Sequence, residues 1–174
     1  MKKLVIAVFA VVLSSSISAQ NYVGVGYTNV DIDGDTVDGW GINYLGIAAG
    51  EQVIMGVSGD FLSYEGIDIN TQQTSIGYAL KPLSEGSVYF DVFYARAQTS
   101  MRYVEDFSEF GASVGYGQMG GDGNEWMVSI STLDGETSAG GNIRFPIQEN
   151  FGISLNLGFG SDTTTMGVSA SFRF

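Results

Sequence analysis

The strongest constraint on this chain is a two-residue rhythm that recurs up to its last residue. In the final segment Met166, Val168, Ala170, Phe172 and Phe174 fall on one side, and Thr165, Gly167, Ser169, Ser171 and Arg173 on the other. Successive side chains of a β-strand point to opposite faces, so this alternation specifies strand and not helix. The same split separates Phe151, Ile153, Leu155, Leu157 and Phe159 from Gly152, Ser154, Asn156 and Gly158. It separates Phe110, Ala112, Val114 and Tyr116 from Gly111, Ser113, Gly115 and Gly117. Further back, Val88, Phe90, Val92 and Tyr94 oppose Tyr89, Asp91, Phe93 and Ala95, while Val23, Val25 and Tyr27 oppose Gly24, Gly26 and Thr28.

The composition of the polar face decides what kind of sheet this is. A soluble sandwich normally turns Lys, Glu and Thr outward. Here the polar face is mostly Gly, Ser and Asn, with the 25 glycines alternating with large apolar residues. A hydrophobic content of 44% and an aromatic content of 13% exclude a glycine-rich disordered chain. Small polar residues suit a crowded lumen and bulky apolar ones suit lipid, an inversion that a closed transmembrane barrel requires. The aromatics support it. Tyr22, Trp126, Phe145, Phe151, Phe172 and Phe174 are read as outward near one end of their strands. Trp40, Phe61, Tyr94, Phe110 and Phe159 are read as outward near the other, with Val25, Ile42, Val57, Val92 and Leu155 between the two groups. Two aromatic belts around an aliphatic band match the two headgroup levels of a bilayer.

Turn signals at 31–35, 49–52, 65–70, 82–86, 99–106, 120–124, 134–136, 147–150 and 161–162 predict nine connections. The expected fold is therefore all-β: a closed, antiparallel, up-and-down transmembrane β-barrel of ten strands, with eight as the runner-up. Pro82 and Pro146 both sit beside connections, where a missing backbone donor does least harm.

At the N-terminus, Lys2 and Lys3 precede an uninterrupted apolar run over 4–13, and Ile17-Ser18-Ala19 offers the small residue that signal peptidase needs. Ten apolar residues are about half the ~20 of a spanning helix. Residues 1–19 are thus expected to be a cleaved signal peptide and 20–174 the barrel domain. Cleavage removes two of the 7 basic residues and none of the 19 acidic ones. So acidic a chain is a poor partner for nucleic acid. There is no Cys, which excludes disulfides, thiolate chemistry and a lipid-anchored start, and no His.

The terminal Ser171-Phe172-Arg173-Phe174, with alternating apolar residues behind it, resembles the terminal signal of bacterial outer-membrane barrels. The whole span from 20 to 174 is similar in plan to the small OmpA- and OmpX-like barrels, departing from their eight strands. The resemblance implies an outer-membrane location, with lipid and lipopolysaccharide as surroundings, and recognition of Phe172 and Phe174 by the barrel-assembly machinery. It also implies that both termini are periplasmic. Parity then places Asp31, Asp33, Asp35, Glu65, Asp68, Glu105, Asp106, Asp134, Glu136 and Asp162 on an acidic extracellular rim, with Arg102 as its one basic residue.

Candidate sites follow from parity and charge. Asp60, Lys81, Asp91, Arg144 and Arg173 are expected to face the lumen, where a charge must be paired or hydrated. They form either a structural salt-bridge network or the lining of a polar pathway, and Tyr89 and Phe93 are bulky enough to plug it. Asp31, Asp33 and Asp35 are spaced like the start of a calcium loop, but Ile42 stands where its twelfth-position Glu would be. They remain weak metal candidates in a polar hairpin, with loose divalent-cation bridging to lipopolysaccharide open to the whole rim. No cofactor is expected. Barrel enzymes mostly use a His as base, so no catalytic role is expected either. Two functions stay open: a non-catalytic structural or surface-interaction barrel, and a narrow pore that weakly prefers cations.

Overall fold

The computed structural model describes residues 20–32, 35–100, 106–119 and 124–174, and the expected signal segment lies outside them. Ten strands follow in order: β1 (Gln20–Ile32), β2 (Asp35–Ala48), β3 (Val53–Tyr64), β4 (Ile67–Ala79), β5 (Ser87–Thr99), β6 (Phe107–Gln118), β7 (Glu125–Leu133), β8 (Glu136–Gln148), β9 (Phe151–Phe159) and β10 (Thr163–Arg173). Each pairs antiparallel with its sequence neighbours, and β10 closes on β1 through pairs such as Val25 with Ala170. The count is ten, which excludes the eight-strand runner-up. Closure leaves no open sheet edge, so within the span where the strands pair on both sides the ladders satisfy their donors and acceptors without water.

Carrying the pairings once round the ring displaces the register by about twelve residues, consistent with strands tilted by roughly 35–45°. A tilted strand needs about 9–11 residues to cross a bilayer. The longest here has 14, so several strands project beyond the apolar band. One expectation is corrected on this ground. The turn read over 65–70 is only Glu65-Gly66, with φ of 48° and 82°, and β4 already begins at Ile67. Two successive positive φ values make the tight hairpin whose twist matches that of its strands. Asp134-Gly135 repeats it, with φ of 50° and 80°. Asp68 and Asn70 look like turn residues because they ride on strand above the lipid level, where Asn70 pairs with Phe61 of the aromatic belt.

The exterior carries the apolar face. Val25, Ile42, Ile76, Val92 and Ile130 are all between 52% and 57% exposed at mid-strand positions. A continuous exposed apolar girdle of this kind needs lipid or a partner to cover it. At the end far from the termini, Trp40 stacks on Phe61 at 4.5 Å and Tyr94 lies 5.1 Å from Phe110. At the near end, where both termini lie, Tyr116 and Trp126 are 5.6 Å apart and Phe172 and Phe174 are 6.4 Å apart. Tyr22 is a correction to the near belt. It follows the parity of Gly24 and Gly26, faces the lumen and is only 5% exposed.

Candidate functional site

The lumen is floored at the near end. Tyr22, Ile47, Ile54, Ala79, Leu83, Tyr89 and Met119 form one buried cluster, joined by Leu45 and Met127. Most arrive there by parity, from inward positions near the ends of their strands, and Met119 follows directly on β6. Leu83 arrives differently, from the connection between β4 and β5. There Pro82 sets φ at −50° and a short 3-10 turn, Leu83–Glu85, swings the side chain under the barrel, while Gly86 at φ 77° returns the chain to β5. Its backbone is tied on both sides: the Leu83 N–H donates to the Glu51 carbonyl (3.1 Å), and the Met119 N–H donates to the Leu83 carbonyl (3.0 Å). Ser84 donates its N–H (3.3 Å) and its hydroxyl to the Glu51 carboxylate. Leu83 is fully buried, which stabilises this arrangement by about 1.5–3 kcal/mol.

Beside this apolar floor lies a buried ion network. The Glu125 carboxylate accepts from Arg144 Nη1 (2.9 Å), Arg173 Nη1 (3.4 Å) and the Tyr22 hydroxyl (2.9 Å). Arg144 Nε donates to Ser171 Oγ (2.8 Å), and its guanidinium lies 5.3 Å from the centre of the Tyr22 ring. The side chains of Glu125 and Arg144 are each 2% exposed, whereas Arg173 is 27% exposed and partly hydrated. The network is possible because residue 152 is glycine: a Cβ there would come within 2.9 Å of the Arg144 guanidinium.

The sequence-predicted charges divide. Arg144 and Arg173 are in this network. Asp60 is inward on β3, its two oxygens accepting from Thr28 and Thr71 hydroxyls, each at 3.2 Å. Asp91 is inward on β5 and accepts from the Ser113 hydroxyl (2.6 Å). Lys81 is not in the lumen. β4 ends at Ala79, and Lys81 is exposed in the connection, its N–H held by Ser87 Oγ (2.8 Å). Glu125 is the residue that sequence reading missed. It follows directly on the 120–124 turn signal, yet its adjacency to outward Trp126 fixes it inward. Of the two candidate plugs, Tyr89 belongs to the floor. Phe93 lies flat along the wall over Gly111, where a Cβ would stand 2.3 Å from its ring.

Above the floor the lumen is polar. A chamber of about 220 Å³ next to Arg144 runs into one of about 390 Å³ nearer the far mouth, and the two share Asn43, Ser58, Gln73 and Asn156. The far rim is acidic in its described part, with Asp31, Asp35, Asp38, Glu65, Asp68, Glu109, Asp134, Glu136 and Asp162. Asp33, Gly34, Arg102 and Glu105 lie outside the described residues, so the Asp31–Asp33–Asp35 spacing has no geometry to weigh. Among the described residues no group of three acidic side chains is arranged to hold a metal ion. Beside the rim, Arg96, outward on β5, pairs with Asp106 at 3.2 Å. The Gln98 amide (2.8 Å) and then the Arg96 guanidinium hold the Asp106 carboxyl below the usual aspartate range.

No family model and no curated protein matches the chain. Among solved structures it is similar to the KdgM porin in complex with disordered oligogalacturonate, at 8% identity over 87% of this chain and 99% of that one, TM-score 0.49. It is also similar to the outer membrane protein OprG from Pseudomonas aeruginosa, at 10% identity over 90% and 96%, TM-score 0.47. A third likeness is to Ail, the attachment invasion locus protein of Yersinia pestis, in complex with the heparin analogue sucrose octasulfate, at 16% identity over 91% and 100%, TM-score 0.39. None of these three reaches a TM-score of 0.5.

Proposed function

We propose that this chain is exported by residues 1–19, assembled into the outer membrane, and works there as a closed, non-catalytic barrel with a structural or surface-interaction role. The observation that carries the reading is the floor. A pathway through the barrel would have to cross a packed layer of Tyr22, Ile47, Ile54, Leu83, Tyr89 and Met119 together with the buried Glu125–Arg144 pair. Protein interiors packed in this way leave few voids larger than a water molecule. The membrane location is supported by the closed ladder, the exposed apolar girdle and the paired aromatic belts.

In this proposal the outward Phe172 and Phe174 are what the barrel-assembly machinery reads during biogenesis. The acidic far rim meets lipopolysaccharide, with divalent cations bridging carboxylates to its phosphates. A chain without His or Cys lacks the Ser–His and Cys–His pairs of most nucleophilic hydrolases, which favours a non-enzymatic role. The narrow, weakly cation-preferring pore is the second reading, favoured by the polar chambers above the floor. Liposome swelling in isosmotic small sugars and salts separates the two. Vesicles carrying the folded barrel should stay as tight as empty ones, and swelling that scales with protein content would favour the pore.

A further inference from the structure

We propose that the 390 Å³ chamber in the far half of the lumen is a binding site for a small monovalent cation, a metal ion or a primary ammonium group, seated against Asp60. The chamber is built around a carboxylate that leans across a strand. Asp60 stands on β3, yet it reaches a Thr28 hydroxyl on β1 by passing over Gly41 of β2, where a Cβ would lie 2.2 Å from Asp60 Oδ1. The glycine holds open the space that the carboxylate uses.

Both of its described hydrogen bonds, from Thr28 and Thr71, come from neutral hydroxyls, and no Lys or Arg among the described residues stands within ion-pair distance. A carboxylate has about four lone-pair positions, so two remain. A half-buried charge without a counter-charge in a low-dielectric wall is costly, and a bound cation relieves that cost. Among the described residues Asp60 is the one charged side chain on the wall of this chamber. Asn43, Ser58 and Gln73 add further polar groups to the wall.

The chemistry of the lining sets the ligand class. One carboxylate with hydroxyl and amide oxygens suits a singly charged, oxygen-seeking cation and lacks the several carboxylates that hold a divalent ion tightly. The chamber below it has no carboxylate among the described residues of its wall to compete for the ion. The acidic rim above enriches cations at the mouth. The site needs access from the far end only, so cation binding and conductance are separate readouts.

The test uses the folded full-length mature barrel in lipid nanodiscs. Amide shifts of Thr28, Gly41, Asn43, Thr71 and Ser169 are followed while potassium chloride or methylammonium chloride replaces N-methylglucamine chloride at constant ionic strength. Saturable shifts confined to these residues are expected with at least one of the two salts, and which salt produces them identifies the source of the charge. Asp60→Asn should weaken binding about tenfold or more, as expected for loss of a charge-assisted contact. Asn43→Ala should weaken it a few-fold, and it decides the matter alone if Asp60→Asn does not fold. Shifts that grow linearly with both salts, that centre on rim residues such as Asp134 and Asp162, or that are unchanged in the variants would overturn the proposal.

Discussion

Removing the Glu125 carboxylate is the perturbation with the largest expected effect. Glu125 and Arg144 are each 2% exposed and 2.9 Å apart, so neither can turn to bulk water when the other is lost. Breaking a buried pair from one side typically costs about 3–5 kcal/mol, most of it the penalty of the orphaned charge. Glu125→Leu leaves Arg144 with only Ser171 and the Tyr22 ring, and is expected to fall in that range. Arg144→Met strands Glu125 less completely, because Arg173 and Tyr22 remain, and should cost about 2–4 kcal/mol. The double variant replaces the pair by apolar side chains of similar volume in a site that already adjoins an apolar cluster. It should therefore cost much less than the sum of the singles, with a coupling of about 2 kcal/mol or more. Denaturant titration in lipid vesicles reads this through tryptophan fluorescence, since Trp126 neighbours Glu125 in sequence. Single variants that each cost under about 1 kcal/mol, or a strictly additive double, would refute the reasoning.

Three further outcomes follow from local geometry. Gly41→Ala drives a Cβ to 2.2 Å from Asp60 Oδ1 and should destabilise the barrel by about 1–3 kcal/mol, most of it recovered in Gly41→Ala/Asp60→Ala, as read by the denaturant midpoint. Gly135→Ala places a side chain at φ 80° in the turn joining β7 and β8, and should cost about 1 kcal/mol by the same assay with little change in slope. The Asp106 carboxyl is held low, first by Gln98 and then by Arg96, so its small contribution to stability is present above the ordinary aspartate pKa and is lost as pH falls through the lowered one. Carboxyl NMR should show its midpoint move up in Gln98→Ala; an unmoved midpoint would remove Gln98 as the cause.

The ten strands were legible because lipid favours apolar residues at the outward positions, which leaves a period-2 record such as Phe151 to Phe159 set against small, uncharged partners. The lumenal side kept a weaker record. Asp60, Asp91, Arg144 and Arg173 could be placed by parity alone. Lys81 could not, because its placement depends on where β4 stops. Tyr22 was drawn to the aromatic belt by its residue type, although the parity of Val23 and Val25 put it inside. Glu125 was hidden by the turn signals just before it. Leu83 was not legible at all: it enters the floor from a connection through a 3-10 turn, and no strand period reports where such a turn folds back. Its anchors, Glu51 and Met119, lie more than thirty residues away on either side.

The closed floor is the claim on which the functional reading rests, and single-channel recording in planar bilayers tests it most directly. The wild-type barrel, shown to be folded by its heat-dependent gel mobility, should insert and remain electrically silent. Thinning the floor, with Leu83→Gly and Tyr22→Ala together, should introduce openings in the same membranes and show that the assay can see them. Regular stepwise openings from the wild-type protein, lost in Asp60→Asn or Asp91→Asn, would contradict the account and establish a conducting lumen in its place.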